Sequence, residues 1–150
     1  MSDNFKELEG WAAGLLGNLS AKELRGMNKS LATELRKRQQ AHIAAQQNPD
    51  GTPYAPRLPQ QRKKKGRIKR QMFAKLRTAR HLKTQSSATG AVVRFSPSTA
   101  RIAQIHQFGL SGRVNKTGTI KHKYAARVLL GFNNKDDAYI LDLITQQISR

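Results

Sequence analysis

The sequence predicts an α+β fold: a small antiparallel sheet packed with helices, a long helix in the N-terminal half and an amphipathic helix at the C-terminal end. Three observations point there. No Gly or Pro interrupts the chain from Met27 to Asn48, and a run that long suits a helix. Two short segments, Ala91–Phe95 and Thr119–Tyr124, alternate in the period-2 manner of strands and are flanked by turn residues. From Asn134 onward the apolar residues recur at helical spacing. At 150 residues the chain is expected to form one domain, 1–150, with a basic Pro- and Gly-bounded connector at about 48–66.

Each element has its own reason. Phe5, Leu8, Trp11, Leu15 and Leu16 space a short helix over 4–17, weakened by Gly10 and Gly14 and stopped at Gly17. Ser20 and Glu23 form a capping-box pattern, followed by Leu24, Met27, Leu31 and Leu35 on one face. A helix over about 21–46 is roughly 39 Å long at 1.5 Å per residue. Asn48-Pro49-Asp50-Gly51 is a turn signal, and Pro53, Pro56 and Pro59 then favour extended chain. A third helix is expected over about 68–83, with Ile68, Met72, Phe73, Leu76 and Ala79 as its apolar edge, broken by the polar stretch Ser86–Gly90. Ala91–Phe95 is a strand with Val93 and Phe95 on one face. Ser98 is expected to cap a helix over about 99–108, with Ile102, Ile105 and Phe108 apolar and Gly109 at the C′ position. Residues 110–118 read as an exposed hairpin-type loop, 119–124 as a second strand and 125–132 as a compact apolar turn. The two strands are marginal alone, so partners are expected from the 50s, the 110s or a neighbouring subunit. Asn134 caps the final helix over about 135–148. Asp136 and Asp137 sit in its first turn, and Ile140, Leu141, Ile144 and Ile148 form its buried face.

The charge is segregated. Between Asp50 and Asp136 lie 85 residues with no acid and 20 Lys and Arg, so this span carries the whole of the net +19 and the two flanks together sum to −1. Such a span cannot supply a carboxylate acid/base pair or a carboxylate metal cage. It suits a polyanion or an acidic protein surface. There is no cysteine, hence no disulfide and no thiolate site. No apolar run reaches the roughly 20 residues of a membrane span, and the N-terminus lacks a signal-peptide pattern. His42, His81, His106 and His122 offer no i, i+4 pair and no nearby acid, so isolated histidines are expected rather than a metal site. Neither a nucleophile elbow nor a phosphate-binding glycine loop occurs. The expectation is a non-enzymatic protein with no cofactor.

The segment Arg57–Lys83 carries 12 Lys and Arg. Arg57, Arg62, Lys63, Lys64, Lys65, Arg67, Lys69 and Arg70 form a basic arm that faces either phosphates or an acidic neighbour. Phe73 is its only aromatic, which leaves no platform for stacking bases and favours the protein-facing role.

Two segments carry a specific resemblance. They are Ala100-Arg-Ile-Ala-Gln-Ile-His-Gln-Phe-Gly-Leu110 and Tyr124-Ala-Ala-Arg-Val-Leu-Leu-Gly-Phe132. Together they resemble the phage virion morphogenesis family, the tail completion proteins of contractile-tailed phages. Asn48-Pro-Asp-Gly-Thr-Pro-Tyr-Ala-Pro-Arg57 is similar to another family segment, so the likeness spans most of residues 20–148. The chain departs at Ala125, where the family usually has Pro. The resemblance implies structural roles for Ile105, His106, Gln107, Phe108, Gly109, Arg127, Leu129, Leu130 and Gly131. It also implies a virion protein, made in the host cytoplasm, that completes or terminates the tail at its head-proximal end. A homo-oligomeric ring, hexameric to match the tail tube, is expected, with tube, sheath or head–tail connector as partners and a non-specific contact with channel DNA. The rival reading is a basic nucleic-acid-binding protein, ribosome- or DNA-associated. Salt separates the two, because an RNA binder loses affinity steeply as salt rises.

Overall fold

The computed structural model describes residues 2–57 and 71–149. Its elements run α1 (Ser2–Leu16), α2 (Ala21–Ala44), β1 (Leu82–Ser86), β2 (Ala91–Phe95), α3 (Pro97–Phe108), β3 (Ser111–Arg113), β4 (Lys121–Lys123) and α4 (Asn134–Ile148). The α+β class stands. Among the described residues the sheet is divided: β1 pairs with β2, and β3 pairs antiparallel with β4. Residues 91–95 and 119–124, expected as strands of one sheet, instead each pair with the strand nearest in sequence, the second only over Lys121–Lys123. The 110s supply β3 as expected, whereas the described residues of the 50s contribute an isolated bridge between Gln47 and Pro53. Among the described residues no helix is long and apolar enough to cross a membrane.

The chain divides into two compact units. One takes α1, α2 up to Arg36, Thr84–Val93 and α4; the other takes Lys37–Lys83 and Arg94–Asn133. In the first unit the capping box forms as the sequence indicates. The Ser20 amide donates to the Glu23 carboxylate at 2.7 Å, and the Glu23 amide donates to Ser20 Oγ at 3.2 Å. Those bonds satisfy donors that a helix start otherwise leaves open. Met27, Ala32 and Leu35 bury the apolar stripe of α2, and Asn28 Nδ2 donates to the Ser87 carbonyl at 2.8 Å. α1 packs beside α4. The apolar face of α4 is only half-buried at Ile140, Ile144 and Ile148, and Leu141 is exposed. The fully buried position there is Asp136, in the first turn.

The second unit holds the core of Ile43, Tyr54, Ala103 and Leu129, with Met72, Phe73, Leu76 and Phe95 packed on it. Here the sequence misleads in three places. The helix expected over about 68–83 does not form in its described part: residues 71–81 are a run of turns, and Leu82 opens β1. Phe73 has φ +64°, a left-handed conformation that no helix continues through. Gln46 takes both backbone groups of Met72, accepting its N–H at 3.1 Å and donating to its carbonyl at 2.9 Å. The apolar spacing of Met72, Phe73 and Leu76 therefore reflects core packing on successive turns rather than helical periodicity.

The cap of α3 is Ser96, not Ser98. Pro97 occupies the first turn, where its missing N–H costs nothing. The buried residue of α3 is Ala103, while Ile102 and Phe108 point to solvent. The inward face instead carries Gln107, which makes hydrogen bonds, and the ring of His106. Two neighbouring readings hold: Val93 and Phe95 share the more buried face of β2, and Gly109 ends α3 with φ +63°, ψ +47°; residues 110–118, read as a loop, instead contain β3.

Candidate functional site

Residues 127–131 form no helix or strand, yet Arg127 and Leu129 are buried. Buried backbone groups must find partners, and here other segments supply them. Gln107 of α3 accepts the N–H groups of Leu129 at 2.8 Å and Leu130 at 3.0 Å, and donates to the Leu130 carbonyl at 2.9 Å. Gln39 of α2 accepts the Gly131 N–H at 3.1 Å and donates to the Gly131 carbonyl at 3.0 Å. Asn48 Oδ1 accepts the Val128 N–H at 2.8 Å, and the Tyr54 hydroxyl donates to the Val128 carbonyl at 3.0 Å. Burial pushes the Tyr54 phenol up in pKa, so it stays a donor.

Arg127 works in the opposite direction. Its Nε donates to the Ala55 carbonyl at 2.7 Å and its Nη2 to the Pro56 carbonyl at 2.9 Å. No carboxylate takes part. The planar fork meets two successive carbonyls of a Pro-rich strap, which a point-charge ammonium cannot do. Its amide N–H donates to the His106 carbonyl at 2.7 Å, closing one of the carbonyls that a helix C-terminus leaves open. The next carbonyl back, Ile105, accepts the Leu110 N–H at 2.8 Å across the left-handed Gly109, the six-to-one bond of a Schellman end.

Two glycines mark close approaches. A Cβ on Gly109 would lie 2.9 Å from the Ala126 amide nitrogen, and one on Gly131 would lie 2.8 Å from Pro49 Cγ. The three segments of the family resemblance thus converge on a single junction within the second unit. Of the named residues, Gln107, Gly109, Arg127, Leu129, Leu130 and Gly131 build it directly, and Ile105 lends its carbonyl. Phe108 is 66% exposed and takes no part. Arg57 is exposed, and Arg62, Lys63, Lys64, Lys65, Arg67, Lys69 and Arg70 lie outside the described residues. Sequence reasoning missed Gln39 and Gln46. The first had a signal: it lies four residues from Leu35 and four from Ile43, on the buried stripe of α2. Gln46 had none.

His106 belongs to the junction through its ring. Its centroid lies 4.9 Å from that of Phe73 and 4.8 Å from that of Tyr124, within a row that runs Tyr54, Phe73, His106, Tyr124, His122. Its Nδ1 is buried without a hydrogen-bond partner. Burial, and then the Arg127 guanidinium, hold its pKa below the ordinary 6.5. The unfolded chain therefore takes up a proton that the folded ring resists. The stabilisation is complete above pH about 6.5 and is lost as pH falls through the lowered folded value. Thermal melts at pH 7.5 and 5.5 are expected to show a fall for the wild type that is smaller in His106→Gln; equal falls would remove His106 as the cause.

Apart from the His106 ring, the polar side chains named at the junction bond main-chain groups, and among the described residues no cluster of three His, Asp or Glu could hold a metal ion. What this arrangement does chemically is hold shape. The sequence profile of the phage virion morphogenesis family matches residues 3–149. The chain is also similar to tail completion protein S of Escherichia phage P2, 44% identical over 150 residues and covering 99% of each chain. No solved structure matches.

Proposed function

The chain belongs to the phage virion morphogenesis family, and from that premise we propose that it is a non-enzymatic structural protein of the virion. It completes the tail at its head-proximal end and prepares it for joining to the head. The observation that carries this reading is the 44% identity to a tail completion protein from end to end. The junction supports it, because Gln39, Asn48, Tyr54, Gln107 and Arg127 are spent on closing the backbone. We further infer a ring, six-fold to match the tail tube, built from the single 1–150 domain. Its support is the apolar surface left uncovered: Phe108, Val114, Ile120 and Phe132 are each 59% exposed or more, and exposed apolar patches mark interaction sites. In this reading the basic arm from Arg57 to Arg70 lies against acidic neighbours in the tube, sheath or connector.

Electron microscopy of tails made without the protein is the test. Tails of normal length that fail to join heads are expected. Tails of uncontrolled length would replace completion with length termination, and normal infectious particles would end the reading. The ring is checked separately, by the mass of the purified chain after nucleic acid is removed at moderate salt.

A further inference from the structure

We propose that the β3–β4 hairpin is a binding ribbon for the phosphodiester backbone of duplex DNA, engaged through Arg113, Lys121 and Lys123 and independent of base sequence. This adds a ligand to the reading above and does not depend on ring formation.

The register decides which residues face out. Ser111 pairs with Lys123, Gly112 with His122, and Arg113 with Lys121. Gly112 is buried, with Ile105 and Tyr124 side-chain atoms 3.2 Å from where its Cβ would lie, and the His122 ring sits 4.8 Å from that of Tyr124. Strand alternation then sends Ser111, Arg113, Lys121 and Lys123 to the other face, and all four are exposed. Arg113 and Lys121 lie directly opposite one another, a like-charge arrangement that costs stability in a hairpin. No acidic residue occurs anywhere from Gly51 to Lys135 to relieve it. An external anion does.

The ribbon is shaped before any ligand arrives. The Val114 N–H donates to the Ile120 carbonyl at 2.9 Å and continues the ladder. Asn115 Nδ2 donates to Thr117 Oγ1 at 2.6 Å and to Thr119 Oγ1 at 2.7 Å, and Asn115 Oδ1 accepts the Ile120 N–H at 3.1 Å. Gly118, at φ +71°, admits the Arg113 stem, whose Cδ lies 3.0 Å from where a Cβ would stand. Lys116 extends the cationic surface at the turn.

Two features choose duplex DNA over other anionic partners. The outer face has no aromatic side chain, so it cannot stack the bases of a single strand. It also has no apolar side chain, which the centre of a protein interface requires. The exposed apolar pair Val114 and Ile120 shares the face of Gly112 and His122 instead. Cations without base-reading groups contact phosphates and position a duplex without reading it.

The test is the salt dependence of duplex DNA binding by the full chain. Arg113→Ala/Lys121→Ala/Lys123→Ala is compared with Lys22→Ala/Arg25→Ala/Lys29→Ala, a variant of equal charge on the exposed face of α2. Each lost phosphate contact lowers the slope of log K against log salt by about 0.9. The ribbon variant is expected to lose about 2.7 in slope and the α2 variant less than 1. Equal losses would mean that bulk charge alone binds DNA. An unchanged slope with loss of incorporation into tails would mean that the ribbon meets an acidic protein. Either result overturns the proposal. Lys121→Glu guards against a folding artefact, since it makes the cross-strand pair with Arg113 attractive. It is expected to melt no lower than wild type while binding DNA more than tenfold more weakly; weaker binding accompanied by a lower melting temperature would count against the assignment.

Discussion

Gly109→Ala is expected to destabilise the chain by roughly 2–5 kcal/mol, the sum of about 1–2 for a left-handed alanine and about 1–3 for forcing atoms into a packed site. Both contributions come from observed geometry. The backbone stands at φ +63°, and the new Cβ meets the Ala126 main chain at 2.9 Å, which is not the yielding end of a side chain. Moving Ala126 away also strains the neighbouring Arg127 N–H bond to His106. Gly51→Ala is the control: its φ is +89°, with nothing within 4 Å of the added atom, so it carries strain without collision. Denaturant midpoints of the two variants separate the costs. A Gly109→Ala loss no larger than that of Gly51→Ala would show that the close approach relaxes freely. Gly109→Val is expected to be worse than Gly109→Ala, because a β-branched residue is least tolerant of this region.

Arg127→Lys is expected to lose nearly as much as Arg127→Met, each about 2–4 kcal/mol, since a hydrogen bond from a charged donor contributes roughly 1.5–3 kcal/mol and the fork makes two of them. Lysine keeps the charge but not the fork that reaches the carbonyls of both Ala55 and Pro56. Chemical denaturation of the two variants gives the comparison. If Arg127→Lys stays within about 0.5 kcal/mol of wild type, charge rather than planar geometry holds the strap.

Much of the fold was legible because its signals were local. The Ser20/Glu23 box, the glycine stop at 109, the alternation of Ala91–Phe95 and the acidic first turn of α4 are each written in residues a few positions apart. What misled was settled at long range. Met72, Phe73 and Leu76 repeat at helical spacing, but Gln46, more than twenty residues away, takes the backbone groups that a helix would need. The inward side of α3 was misjudged because Gln107 and His106 look polar in sequence: Gln107 is inward because it answers the unpaired groups of 129–130, and His106 because its ring packs between Phe73 and Tyr124. The functional segments were visible as a pattern only through the family resemblance. Composition reads a glutamine as surface; the spacing of Gln39 between Leu35 and Ile43 marks it as inward, but its partner Gly131 is 92 residues away. The charge segregation was legible at once, whereas its concentration on one face of a ribbon required the pairing of Arg113 with Lys121.

The junction is tied by amides, a phenol and a guanidinium bound to carbonyls, without an ion pair in the set described. Mobile ions screen charge–charge attraction over a Debye length of about 8 Å at physiological strength, but they leave short bonds to neutral acceptors nearly untouched. The cations of the outer surface have no such shelter. Ionic strength is therefore a dial that turns association without turning the fold. A concentrated salt wash is expected to strip the chain from its anionic partners and return it with the 127–131 junction still closed, so that dilution restores the complex from a native subunit rather than from a refolding one.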